Sequence, residues 1–142
     1  MDFLYQDPYP ILKDDTTYKK LTSDYVKIEQ LGDREILVVD PKGLELLAQE
    51  AMDDVSFMLR SAHLQKLRNI IEDPEATDND RFVAYNLLQN AAVAVEGQLP
   101  SCQDTGTAIV VAKKGENVYT GVEDGEWLSK GIYNTYQNKN LR

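Results

Sequence analysis

The chain is poor in cysteine, which occurs once in 142 residues, as Cys102. A single cysteine excludes an intrachain disulfide framework and fits a reducing compartment, so we expect the protein in the cytoplasm. Histidine is equally scarce, because His63 is the only one. Its place at a predicted helix junction favours a capping or core role over catalysis.

Basic residues are also in short supply. Fifteen lysines and arginines face 24 aspartates and glutamates, which gives a net charge of −9. This balance argues against nucleic acid as a partner, because neutralising phosphates requires a basic footprint. It also opposes binding of a dianionic substrate unless a local arginine cluster overcomes the overall field.

Long apolar runs are missing as well. No stretch approaches the ~20 apolar residues that a membrane-spanning helix needs. Residues 1–5 lack the basic region and apolar core of a secretory signal. The sequence therefore predicts no membrane partner. Its length and its 42% hydrophobic content are those of one globular domain with a real core.

The N-terminal part predicts an arm followed by a β-hairpin. Residues 1–24 are rich in tyrosine, aspartate and proline, and residues before proline avoid the helical region, so this stretch is expected to be extended. Strand-like residues at 25–28 and 35–39 flank a turn at 31–34. That pattern is typical of a hairpin.

Two helices are predicted after the hairpin. Asp40 as N-cap and Pro41 at the first helical position begin the first one. Its apolar residues recur at helical spacing as far as Leu59. A second helix is expected from Ser61 to the Asp-Pro pair at residues 73–74, which ends it.

A third helix is predicted from about Arg81 to Val95. A capping box at residues 77–80 opens it, with aspartate in place of glutamate or glutamine. Its last turns, residues 91–95, are apolar all round, which predicts a buried helix. Gly97 is the predicted C-cap glycine.

The C-terminal part mixes strand and helix signals. Residues 108–112 form a continuous apolar run, which predicts a strand covered on both faces. Lys113 and Lys114 are expected at a solvated hairpin tip, with residues 118–120 returning as the partner strand. Asp124 is a candidate cap for a final helix. These elements together predict an α+β fold with helices packed against a small mixed or antiparallel sheet.

Residues 99–107, Leu-Pro-Ser-Cys-Gln-Asp-Thr-Gly-Thr, predict a loop between the third helix and the predicted strand. Loops on rigid scaffolds often carry function. Cys102 is either a metal-ligating thiolate or a buried cysteine acting as a small hydrophobe. From its sequence alone, Asp104 is a turn residue that bonds its own backbone, Gln103 an exposed loop amide and Arg142 a solvated charge.

This loop resembles that of the iron-sulfur (class I) fumarate hydratases, where Leu-Pro-x-Cys-Gln-Asp-Thr-Gly-Thr supplies the first of three cysteine ligands to a [4Fe-4S] cluster. Weaker similarities extend over nearly the whole chain, at residues 57–60, 73–76 and 131–136 and at Gly121. Members of this family continue for several hundred residues, so we expect an N-terminal fragment. A complete small protein is the alternative.

The resemblance implies a domain organisation and an assembly. Residues 1–24 would be an arm, and residues 25–142 a partial N-terminal domain of a larger catalytic domain. One cysteine cannot hold the cluster, so we expect no cluster on the isolated chain. The resemblance places the other ligands in the missing C-terminal part of the same protein, and it implies a homodimer at full length.

The resemblance also implies a reaction, the reversible hydration of fumarate to malate with the cluster as Lewis acid. Cys102 would ligate the metal, and Gln103 would bind a substrate carboxylate. Asp104 would lie at the substrate as a catalytic proton donor or acceptor. Arg142, in an Asn-Leu-Arg sequence that closes a helix, would clamp a carboxylate with two hydrogen bonds.

Two alternatives stay open. Related hydro-lyases that act on tartrate share the loop, so the substrate is less certain than the chemistry. A small binding or assembly module with a structural cysteine is the alternative from another functional class. Two more cysteines further along the parent reading frame would support the enzyme.

Overall fold

A computed structural model describes residues 3–7, 10, 17–102 and 106–141. Helices and a small three-stranded sheet share these residues, which confirms the α+β fold class. The arm predicted for residues 1–24 lies partly outside the described residues and stays a prediction. In chain order the elements are β1 (Val26–Leu31), β2 (Arg34–Val39), α1 (Pro41–Phe57), α2 (Ser61–Glu72), α3 (Asp78–Ala94), β3 (Val118–Tyr119) and α4 (Asp124–Asn138).

The predicted hairpin forms the greater part of the sheet. Strands β1 and β2 pair antiparallel from Val26 opposite Val39 to Leu31 opposite Arg34. Gly32 lies in the two-residue turn between them with a φ of 65°, a conformation that glycine adopts without steric cost. The short strand β3 joins β2 in parallel, so the sheet is mixed, in the order β1-β2-β3.

Helix α1 begins where the sequence predicts it. The backbone N–H of Lys42 donates to Asp40 Oδ1 over 2.8 Å, and Pro41 occupies the first helical position. The cap satisfies one of the N–H groups that have no partner inside the helix. The backbone N–H of Asp40 donates to the Tyr25 carbonyl over 2.8 Å, which ties the start of α1 to the hairpin.

The capping box of α3 is also confirmed. The N–H of Asp80 donates to Thr77 Oγ1 over 3.2 Å, and the N–H of Thr77 donates back to Asp80 Oδ2 over 3.0 Å. Hydrogen bonds from Thr77 to the carboxylate hold the pKa of Asp80 below its usual value. Thr77 is the N-cap, so α3 begins at the next residue, Asp78, three residues before the predicted Arg81.

The helices pack mainly in two pairs, α1 with α4 and α2 with α3. Gly131 lets α1 and α4 approach closely, because a Cβ there would lie 2.2 Å from the Glu45 carbonyl oxygen. Thr135, 2% exposed, donates from Oγ1 to the Gln49 carbonyl over 2.9 Å. In the part of the chain that the structure describes, no helix is long and apolar enough to cross a membrane.

The strand predicted at residues 108–112 is not formed. Residues 109–112 are exposed, and Ile109 keeps 85% of its surface in solvent. No backbone hydrogen bond joins residues 108–112 to another described residue, and β3 pairs with β2 instead. An apolar run favours a strand, but a strand needs a partner on its edge and cover on its faces. No described element of this chain supplies either.

The burial predicted for residues 91–95 is also wrong in large part. Ala94 is buried, whereas Val93 and Val95 are half exposed or more. The main neighbour of α3 is α2, which covers one side only. An apolar sequence all round a helix indicates surfaces suited to burial, and here only one of those surfaces has a neighbour.

Candidate functional site

The loop that carries Cys102 leaves the end of α3 through a left-handed turn. Val95 is the C-cap, and its N–H donates to the Ala91 carbonyl over 3.2 Å. Gly97, with a φ of 75°, donates its N–H to the Ala94 carbonyl over 2.9 Å. A glycine in this conformation turns the chain out of the helix, although the C-cap itself is Val95, two residues before the predicted Gly97.

Ser101, next to Cys102, is held at three points. Its backbone N–H donates to the Ser56 carbonyl over 2.8 Å, and its hydroxyl donates to the same oxygen over 3.1 Å. Its own carbonyl accepts a 2.7 Å hydrogen bond from Asn90 Nδ2. The loop is therefore attached to the end of α1 and to α3. Sequence reasoning missed both contacts, which join residues far apart in the chain.

Cys102 is exposed at the end of this attached segment. Within the described residues the thiol is therefore not part of the core of this chain. This position agrees with the expectation of a cysteine on a loop at an exposed edge. Ligation of a metal by Cys102 stays a prediction.

The other predicted site residues fall outside the described residues. Gln103 and Asp104 follow Cys102 directly, and Arg142 follows the last described residue. Leu141, its neighbour, is buried. The predicted roles of these three side chains therefore stay predictions. Beyond them the chain resumes at Gly106, with a φ of 55° that glycine adopts readily.

The two lysines predicted at a solvated hairpin tip are exposed, but β3 pairs with β2 rather than with residues 108–112, and both lysines are ion-paired. Lys113 Nζ lies 2.6 Å from Asp7 Oδ2, and Lys114 Nζ lies 2.5 Å from Asp124 Oδ2. Thr120 Oγ1 also donates to Asp124, over 2.5 Å. The hydrogen bond from Lys114, followed by that from Thr120, holds the pKa of Asp124 below its usual value.

These contacts also correct the expected role of Asp124, which is the first residue of α4 rather than its cap. Its carboxylate bonds the segment that leads away from the cysteine loop, and the N-cap of α4 is Glu123. A carboxylate in the first turn of a helix also interacts favourably with the helix dipole. No spacing in the sequence indicates the partner, because Lys114 belongs to a segment without regular structure.

No described part of the chain forms a complete metal site. Among the described residues, no three histidine, cysteine, aspartate or glutamate side chains gather around one point. A groove of about 590 Å³ lies between α2 and α3, and none of the predicted site residues lines it. Cys102 is thus a single candidate ligand, and any metal bound there needs further ligands from elsewhere.

Comparison with known proteins identifies close relatives. The family model described as fumarate hydratase (Fumerase) matches residues 45–142. The chain is 54% identical over 140 residues to "Fumarate hydratase class I, anaerobic" of Escherichia coli (strain K12), an alignment that covers 99% of this chain and 26% of the relative. It is 52% identical to "Fumarate hydratase class I, aerobic" of Salmonella typhimurium (strain LT2) over 99% of this chain and 24% of the relative.

A eukaryotic relative is equally similar over a shorter stretch. "Fumarate hydratase 2" of Leishmania major is 52% identical over 118 residues, which cover 83% of this chain and 21% of that protein. The chain thus spans about a quarter of the length of the curated relatives it matches.

Proposed function

The chain belongs to the fumarate hydratase family, and we propose that it is part of a class I fumarate hydratase, an enzyme that reversibly adds water to fumarate to give malate. One observation carries the proposal: at least 52% identity over 99% of the chain to relatives of that name. Identity at this level over nearly the whole of this chain supports a common fold here and a common reaction of the full-length proteins. The exposed Cys102, at the end of an attached loop, is compatible with the ligand role assigned to it below.

In this proposal Cys102 supplies one ligand of a [4Fe-4S] cluster. The chain has one cysteine, and such clusters are held by several thiolates. The donor set present therefore fits one ligand position, and the rest of the protein supplies the others. When bound, an iron without a cysteine ligand supplies Lewis-acid polarisation of a substrate oxygen.

The chain's own polar residues would orient the substrate and move a proton. Gln103 would donate from its amide to a substrate carboxylate. Asp104 would exchange a proton at the substrate carbon next to the one that carries the hydroxyl of malate. Arg142 would bind the other carboxylate with two parallel N–H donors. The net charge of −9 on this chain repels a dianion, so a local cation such as Arg142 would favour binding.

In this proposal, the rest of the full-length protein packs against the segment that follows the cysteine loop. Support comes from the exposed apolar side chains that follow the cysteine loop: Ile109, Val110 and Val111 keep between 53% and 85% of their surface in solvent. Contiguous apolar surface of this kind marks an interface. The homodimer and the cytoplasmic location rest on the family resemblance and the cysteine content alone.

The test uses the full-length protein with Cys102→Ser. A hydroxyl is a poor replacement for a thiolate ligand, so after anaerobic reconstitution we expect loss of cluster absorbance, of bound iron and of fumarate hydration. Asn86→Ala, on α3 at a residue whose amide donates to the Phe82 carbonyl of the same helix, is the control and should retain the cluster. A Cys102→Ser protein with its full iron content would contradict the ligand assignment.

The wild-type protein separates the alternatives in the same assay. Turnover of fumarate with little turnover of tartrate supports the proposal. The opposite preference assigns a tartrate dehydratase, which shares the loop. If the protein takes up no cluster and turns over neither acid, the result favours the alternative of a binding or assembly module with a structural cysteine.

A further inference from the structure

The end of α1 offers a fixed hydrogen-bond acceptor beside the cysteine loop. Ser56 lies in the last turn of this helix, where carbonyl oxygens have no N–H partner within the helix. Its side chain is buried, and its hydroxyl donates back to the Met52 carbonyl over 2.7 Å. Both donors of Ser101 converge on the Ser56 carbonyl, so the loop satisfies an otherwise unpaired group.

Asn90 offers the complementary donor from α3. Its side-chain amide reaches eleven residues along the chain to the Ser101 carbonyl, over 2.7 Å. Asn86, one turn earlier on the same helix, behaves differently, since its amide donates to the Phe82 carbonyl of its own helix over 2.7 Å. Two asparagines of one helix thus make bonds of the same length, and only one of them holds the loop.

These bonds act on the peptide units that flank Ser101. A peptide unit is planar, so the Ser101 carbonyl oxygen and the Cys102 Cα lie in one rigid plane. The Asn90 amide fixes the Ser101–Cys102 peptide unit by donating to the Ser101 carbonyl oxygen. The Ser56 carbonyl fixes the preceding peptide unit by accepting from the Ser101 N–H. The position of the Cys102 Cα is therefore set by two helices rather than by the loop itself.

We infer that Asn90 is a positioning residue for the Cys102 thiolate as a cluster ligand, acting through the Ser101 carbonyl. The inference rests on the proposed function, because it concerns the ligand role of Cys102. Groups that orient a metal ligand typically change metal affinity by 10–100-fold when they are removed. Of the three contacts of Ser101, the one from Asn90 acts on its carbonyl, which belongs to the same peptide unit as the Cys102 Cα.

The experiment compares Asn90→Ala and Asn90→Asp with the matched control Asn86→Ala in the full-length protein. Each variant is reconstituted anaerobically, iron and sulfide are counted per chain, and cluster absorbance is followed after addition of an iron chelator. We expect both Asn90 variants to lose the cluster about 10-fold faster than the wild type. Asn86→Ala should lose it at the wild-type rate, and the melting temperatures of the cluster-free proteins should match across the set.

The outcomes separate positioning from structure and from the proposed function. Equal rates for the Asn90 variants and Asn86→Ala overturn the inference. So does a melting temperature of cluster-free Asn90→Ala well below that of Asn86→Ala, because the residue would then be structural. If Cys102→Ser keeps its cluster, the proposed ligand itself is wrong. If Cys102→Ser loses the cluster while the Asn90 variants behave like the control, only the positioning role falls.

Discussion

Helices α1 and α4 bring their backbones close together around Gly131, whereas residues 109–112 of the same chain lie in solvent. The first region has close packing and partly buried hydrogen bonds between the two helices, such as the one from Thr135 to Gln49. The second has apolar side chains and, among the described residues, no backbone partner. The difference teaches that this chain completes one packed interface between its own helices and leaves a second apolar segment exposed.

The largest expected effect breaks the completed interface. Gly131→Leu places side-chain atoms where even a Cβ would be 2.2 Å from the Glu45 carbonyl oxygen. We expect a loss of about 3 kcal/mol in the free energy of unfolding, measured by urea titration. Gly125→Ala is the control in the same helix, because its Cβ would meet one atom, at 3.5 Å. That variant should be neutral or up to ~1 kcal/mol more stable, and equal losses for both would contradict the packing argument.

A second prediction sharpens the contrast at the exposed region. Ile109→Lys should change the stability of the 142-residue chain by less than about 0.5 kcal/mol, because the side chain is already in solvent. In the full-length protein, where we propose that this surface is covered, we expect a loss of about 2 kcal/mol. Thermal unfolding of both lengths provides the comparison. A small effect in both would mean that nothing covers Ile109.

The third prediction removes one polar contact from the completed interface. Thr135→Val keeps the shape of the side chain but deletes the hydroxyl that donates to Gln49. The carbonyl then loses a buried partner, and we expect a loss of about 1 kcal/mol by urea titration. Thr107→Val, at an exposed position, makes the same chemical change and should have no measurable effect. An equal response at both sites would remove the hydroxyl's assigned role.

The smallest effect is a pH dependence at Asp124. Its pKa lies below the ordinary value of 3.8 because Lys114 and Thr120 donate to the carboxylate. The unfolded chain therefore binds the proton more readily, so this contribution to stability is present above about pH 4 and is lost as the pH falls through the folded pKa. The melting temperature of Asp124→Asn should fall less steeply than that of the wild type below pH 4. Parallel curves would show that these contacts leave the titration unchanged.

Local signals in the sequence predicted most of the fold. Asp40 and Thr77 cap helices through contacts with residues two or three positions away, and the hairpin turn at Gly32 is equally local. The strand expected at residues 108–112 failed for the opposite reason. Whether an apolar run becomes a strand depends on a partner that no property of the run itself specifies.

The candidate site divides in the same way. Its exposed cysteine on a loop was predictable, because proline, glycine and the end of a helical pattern bound the segment. The contact between Ser101 and Ser56 was not, since 45 positions separate the two residues. The sequence also did not reveal that the Asn90 amide donates to the loop while the Asn86 amide donates within its own helix. That difference depends on how near the loop comes to each turn of α3.

Because the cysteine loop is bonded to Ser56, the length of α1 determines where that loop lies. The helix has 17 residues between its cap at Asp40 and its end, and each added residue advances a helix by about 1.5 Å and turns it by roughly 100°. An insertion or deletion inside α1 would rotate the Ser56 carbonyl away from Ser101. It would also shift the cysteine loop along the axis of α1 relative to the rest of the fold. Length variation among relatives of this chain is therefore expected in its turns and at its exposed segment, and not between Asp40 and Ser56.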